Sequence, residues 1–154
     1  MDIKTLILPE KVVTFEIPGY DGLEVDLAYQ SKEELQKLTK KATKTKFNSA
    51  SRQPVSEFDE DLFLQLYTKA IIKGWRGFKL GYLKDFLVIE IPEDMDEETE
   101  VEYSESNALS LIKQSAVFDS WVSGEISNLE NFTKRDSKVK SAKSKGTLKA
   151  DLQE

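Results

Sequence analysis

Leu23-Glu24-Val25-Asp26-Leu27-Ala28-Tyr29 alternates apolar with acidic or small residues at a period of two. That is the period of a strand with one face on a core and the other in water, so Leu23, Val25, Leu27 and Tyr29 form its buried face. The turn cluster Pro18-Gly19-Tyr20-Asp21-Gly22 stands just before it. Upstream, Val13, Phe15 and Ile17 repeat the same spacing. Two such runs around a glycine-containing turn predict a β-hairpin near the N-terminus.

Downstream the period changes to that of helices. Ser31-Lys32-Glu33-Glu34 is a capping box, in which a hydroxyl and a Glu three residues later satisfy the first free amides. It opens a helix to about Ala42, with Leu35, Leu38 and Ala42 on one side. Residues 43–58 are polar, with the turn signals Asn48-Ser49 and Arg52-Gln53-Pro54, and read as a loop with at most one short strand. Asp59-Glu60-Asp61 places three acids where a helix macrodipole favours them. Leu62, Phe63, Leu66, Tyr67, Ala70 and Ile71 follow at helical spacing, with Gly74 as the expected stop. This helix is expected at the centre of the core.

A helix is expected at 82–88, then an acidic loop over 93–102. Ser104 and Ser115 can each cap a helix. Phe118, Trp121, Val122, Glu125, Leu129 and Phe132 mark the face of the second, and the two could also be one bent helix. After Phe132, Lys, Ser, Ala and Gly dominate, the composition of a disordered tail. The expected fold is α+β: one domain over residues 1–132, an N-terminal β-hairpin followed by four or five helices, and a disordered Lys-rich tail over 133–154.

Composition limits the chemistry. The 154 residues contain no cysteine and no histidine. Disulfides, thiolate nucleophiles and zinc–thiolate sites are therefore excluded, and so is the commonest general base. Charged residues make up 32% of the chain. Residues 133–154 hold seven Lys/Arg and three Asp/Glu, a balance of +4; the whole chain is −6, which leaves residues 1–132 at −10. An acidic body does not suit a nucleic-acid surface. Leu6-Ile7-Leu8 is too short for a signal segment, and no apolar run approaches the roughly 18–20 residues of a membrane span. A cytoplasmic protein is expected, with no membrane partner.

Candidate sites are few. Glu93-Asp94-Met95-Asp96-Glu97-Glu98 lacks the glycine and ligand spacing of a calcium loop and reads as solvated. No phosphate-binding glycine loop and no nucleophile elbow occurs, and none of the 28 acids is marked as catalytic. The chain is expected to be a non-enzyme without metal or cofactor. Trp75, Arg76, Phe78 and Tyr82 have two readings. One is core packing; the other is an exposed patch that grips a partner, because Trp, Tyr and Arg are enriched at binding hot spots. Lys134, Arg135, Lys138, Lys140, Lys143, Lys145 and Lys149 could touch nucleic acid, but no aromatic is interleaved for stacking. A solubilising or tethering tail fits them better.

Three elements in order add a resemblance: Ile72-Lys73-Gly74-Trp75-Arg76-Gly77-Phe78, then Val101-Glu102-Tyr103-Ser104-Glu105-Ser106-Asn107-Ala108-Leu109, then Ser115-Ala116-Val117-Phe118-Asp119-Ser120-Trp121-Val122 closing on Asn128-Leu129-Glu130-Asn131-Phe132. Over residues 12 to 132 they resemble the tail assembly chaperones of long-tailed bacteriophages. The resemblance implies a host-cytoplasmic protein that coats the tape-measure protein, promotes tail tube polymerisation and is absent from the virion. It also implies a short form beside a frameshifted longer form that recruits tail tube protein. The codons of Glu130-Asn131-Phe132 or Thr147-Leu148-Lys149 could hold the slippery heptamer. The Lys-rich end departs from the family pattern. A homo-oligomer is a further expectation, because the strand at 23–29 could pair with another copy. The competing expectation is a small regulatory adaptor that binds one globular partner.

Overall fold

The computed structural model describes residues 1–133 and 138–140. Apart from Thr133 and Lys138–Lys140, the tail expected to be disordered lies outside the described residues. The N-terminal hairpin forms as its alternation dictates. Strand β1 (Val12–Glu16) pairs antiparallel with β2 (Glu24–Ala28), with Phe15 opposite Val25. Val13, Phe15, Ile17, Leu23, Val25 and Leu27 are buried, and Tyr29 is half-buried with its ring 5.3 Å from that of Phe132. Two further strands widen the sheet. Strand β5 (Ile72–Arg76) pairs antiparallel with β2, and β6 (Lys138–Lys140) runs parallel to β1. The order is β5-β2-β1-β6.

The helices begin where the sequence places their caps. Helix α1 (Lys32–Lys41) starts at Ser31, whose Oγ accepts from the Glu34 amide at 3.1 Å. Between it and the next helix lie two strands numbered in chain order, β3 (Thr43–Asn48) and β4 (Gln53–Phe58). Helix α2 (Glu60–Ile71) starts at Asp59, whose Oδ1 accepts from Leu62 at 3.0 Å. Ser104 caps α3 (Glu105–Gln114) and Ser115 caps α4 (Ala116–Ser127). Ser115 is extended (φ −119°, ψ 104°), so these are two helices rather than one bent helix. A single turn, α5 (Glu130–Thr133), follows.

The core lies between the sheet and the helices α3 to α5. Phe15 meets Trp121 edge-on at 6.3 Å and Phe132 at 5.8 Å. Phe118, fully buried, meets Phe86 at 5.8 Å and Trp121 at 6.0 Å. One polar link sits inside. Asn131 Nδ2 donates to Glu125 Oε2 at 2.9 Å and to the Glu125 carbonyl at 3.1 Å, which ties α5 to α4. Satisfying both groups removes the penalty that burying them bare would carry.

Five expectations are corrected. The strand expected to pair with another copy, β2, is not an edge, since it lies between β1 and β5. Helix α2 is not the centre of the core, since only Thr68 and Ile71 of it are buried. Gly74 does not end that helix; the chain turns directly into β5, where Gly74 lies beside β2. A Cβ at Gly74 would stand 3.2 Å from Asp26 Oδ2. The helix expected at 82–88 is a 3-10 helix at Leu80–Asp85. Residues 43–58 are not a loop: β3 and β4 form an antiparallel two-stranded ribbon with Thr43 opposite Phe58.

Candidate partner-binding surface

The segment Lys73-Gly74-Trp75-Arg76-Gly77-Phe78 carries three of the four residues singled out for partner binding. Strand period puts neighbours Trp75 and Arg76 on opposite faces of β5. Trp75 is 7% exposed, with its Nε1 donating to the Val101 carbonyl at 2.8 Å and its ring against Tyr103 at 5.2 Å and Phe78 at 5.3 Å. Phe78 is 0% exposed and packs toward Phe86 and Phe118. Gly77 makes this possible, with φ +70° and a Cβ position only 2.0 Å from the Gly22 carbonyl oxygen. A side chain there would drive the segment off the hairpin turn.

Arg76 lies on the solvent face of the sheet. Its guanidinium pairs with Glu24 at 3.5 Å and with Asp26, whose second carboxylate oxygen accepts from Thr14 Oγ1 at 2.6 Å. The carboxylates hold the Arg76 guanidinium above its ordinary value, the Asp26 hydrogen bond foremost. Tyr82 is half-buried and stacks edge-on to Tyr20, while its hydroxyl donates to the Asp21 carbonyl at 2.7 Å. The four residues therefore do not form one exposed aromatic patch. Trp75 and Phe78 are core, Arg76 belongs to a sheet-surface ion network, and Tyr82 fastens the 3-10 helix to the hairpin turn.

Other sequence candidates remain on the surface. The acidic stretch 93–98 is exposed, with Glu98 paired to Lys79 at 2.7 Å and Glu97 to Lys84. Among the described residues, no group of three or more His, Cys, Asp or Glu is arranged to hold a metal ion. No helix among them is long and apolar enough to cross a membrane.

The feature missed in the sequence is the β3–β4 ribbon. Cross-strand register puts Thr43, Thr45, Phe47, Pro54, Ser56 and Phe58 on one face, with no charge among them. Lys44, Lys46, Val55 and Glu57 take the other, where Lys46 and Glu57 pair at 2.9 Å. Among the described residues no third layer backs the ribbon. Phe47 is 69% exposed, Phe58 48% and Val55 45%. An isolated hairpin is only marginally stable, so its ends matter. Asn48 Oδ1 accepts from the Ala50 and Ser51 amides at the tip, and the Asp59 amide donates to the Ala42 carbonyl at the base. The apolar face continues past the base. Phe58 lies 5.5 Å from Phe63, and Phe63 stacks 5.7 Å from Tyr67 on α2. The signal in the sequence was the alternation of uncharged Thr43, Thr45 and Phe47 with Lys44 and Lys46.

Fold and surface define a small α+β protein that buries Trp75 and Phe78 and exposes a ribbon with one uncharged face. The chain belongs to the YdaY prophage protein family, whose family model matches residues 24–143. It is thus phage-derived. The match runs from β2 through the ribbon and α5 to just past β6. No curated protein and no solved structure matches the chain.

Proposed function

We propose that this prophage protein is a non-catalytic assembly chaperone that coats the tape-measure protein during tail assembly and leaves before the virion is complete. The observation that supports this reading best is the ribbon, which holds Phe47 and Phe58 in water on a face without charge. Exposed apolar patches on a charged protein mark interaction surfaces. The rest of the body suits a carrier. Residues 1–132 carry a balance of −10, which keeps copies apart while one apolar face stays uncovered. A long helical client presents apolar stripes that aggregate when bare, and covering them requires no acid–base group or cofactor. Tail tube protein would be recruited through a frameshifted longer form.

The test is co-expression with the tape-measure protein of the same prophage, followed by size-exclusion chromatography with light scattering. The proposal predicts a soluble complex with several copies of this chain per tape-measure protein, from a client that is insoluble alone. An insoluble client, with this chain eluting by itself, contradicts it. A one-to-one complex with a globular host protein instead would support a regulatory adaptor.

A further inference from the structure

Strand β1 has β2 on one side and, among the described residues, only β6 on the other. We infer that β6 is a guard strand. While it sits on β1 the chain stays single, and when it leaves, β1 pairs with the β1 of a second copy. This goes beyond the chaperone reading and does not depend on it.

The two ends of the sheet are finished differently. Beside β5, residues 100–103 occupy the neighbouring backbone groups. The Val101 amide donates to the Phe78 carbonyl at 2.6 Å, the Glu100 carboxylate accepts from the Gly77 amide at 2.8 Å, and the Tyr103 hydroxyl donates to the Ile72 carbonyl at 3.1 Å. Beside β1 the register with β6 covers Thr14, Phe15 and Glu16, and Val12 and Val13 extend past it. That pairing is parallel, the slightly weaker kind per residue.

The two strands differ in what they are good for. Val12-Val13-Thr14-Phe15-Glu16 is rich in strand formers and has no Pro, Gly or Lys. Left bare, such a strand offers a row of amides and carbonyls on which another chain can pair. Strand β6 is Lys138-Val139-Lys140. Shortness and lysine are two of the devices by which proteins blunt a sheet edge, and β6 has both. The sheet therefore ends on a strand poor at pairing, laid over one that pairs well. The family match takes in β6, since it runs to residue 143.

The occupant that fits the bare edge is the same edge of a second copy. Two like edges meet about a two-fold axis, which makes the pair antiparallel. Centred on Thr14, the pairing sets Val13 opposite Phe15 and Val12 opposite Glu16 of the second copy. Val13 and Phe15, both 0% exposed, then stay on the covered side in both copies. Glu16 meets a valine, so no carboxylate of β1 stands opposite its own counterpart.

The experiment measures the molar mass of full-length chains by light scattering. The wild type should elute at 17.6 kDa. Lys138→Pro with Val139→Pro removes whichever of two neighbouring amides faces β1, because successive amides of a strand point to alternate sides and proline cannot donate. This variant should double its mass, with the fluorescence of buried Trp75 and Trp121 unchanged. Adding Thr14→Cys should close a disulfide between copies, in a chain that has no other cysteine. Adding Thr14→Lys instead should return the mass to 17.6 kDa, because it sets lysine opposite lysine. A proline variant that keeps the mass of a single chain overturns the inference, and so does a wild type already paired. Association that Thr14→Lys leaves intact also overturns it, since that is aggregation by another route.

Discussion

Two aromatic segments of this chain have opposite fates. Residues 72–78 hold Trp75 and Phe78 in the core, although tryptophan and arginine side by side suggest a binding hot spot. Residues 43–58 hold Phe47 and Phe58 in water, although that stretch reads as polar filler. The difference lies in what stands behind each strand. Strand β5 joins a sheet covered by helices, so its inward residues are buried whatever their chemistry. Among the described residues, strands β3 and β4 pair only with each other, so even phenylalanine stays exposed. Aromatic type alone does not mark a surface; the layer behind the strand decides.

The largest effect that can break this comparison is at Gly77. A Cβ there would sit 2.0 Å from backbone at Gly22 and at a positive φ, so Gly77→Ala is expected to prevent stable folding. Soluble yield and circular dichroism check it. A normally folded variant would mean the segment is not fastened to the hairpin turn. Next is Phe78→Ala, which empties a fully buried site and should cost about 3–5 kcal/mol. For a chain of this size the melting temperature should fall by roughly 10–15 °C. Phe47→Ser should change stability by no more than about 0.5 kcal/mol, the scale of an exposed substitution. Thermal melts of the two single variants side by side measure the contrast. Equal losses would erase it.

Arg76→Ala should cost only about 0–1 kcal/mol, because the guanidinium is half exposed and its pairs are screened by salt. A Tm fall as large as that of Phe78→Ala would show Arg76 to be structural like its neighbour. The smallest effect is at Tyr20, whose phenol is pushed up to about 12, by burial first and by Asp85 next. The folded state favours the neutral phenol. Its contribution is whole below pH 10, the ordinary tyrosine value, and is lost as pH rises through about 12. Alkaline titration followed by phenolate absorbance should find Tyr20 titrating late together with Tyr67 and Tyr103, whose phenols burial also raises, and Tyr20→Phe should remove one phenol from that late step.

Much of the architecture was legible in the sequence, because local signals agreed with the global fold. The alternation at 23–29 needed only one covered face to become β2. Ser31, Asp59, Ser104 and Ser115 cap helices as hydroxyl and carboxylate side chains do wherever the first amides lack partners. The parts that were not legible depend on distant residues. Ile72 to Arg76 is a strand because β2 lies beside it, fifty residues away in sequence between Asp26 and Arg76. Nothing local separates its buried Trp75 from an exposed one. The ribbon was hidden for the opposite reason. It has no core-facing apolar row, so its alternation sets Thr and Phe against Lys rather than apolar against polar residues, and its tip turns on Asn48 and on Arg52 at φ 55° rather than on an Asn-Gly pair.

The most direct measurement is amide hydrogen exchange of this chain, free and in the complex purified with the tape-measure protein. The account predicts that residues 43–58, together with the Phe63 to Tyr67 turn of α2, gain protection on binding, while 72–78 exchange equally slowly in both states. Protection gained over 72–78 with the ribbon unchanged would contradict it, and would return the binding role to the segment that holds Trp75 and Phe78.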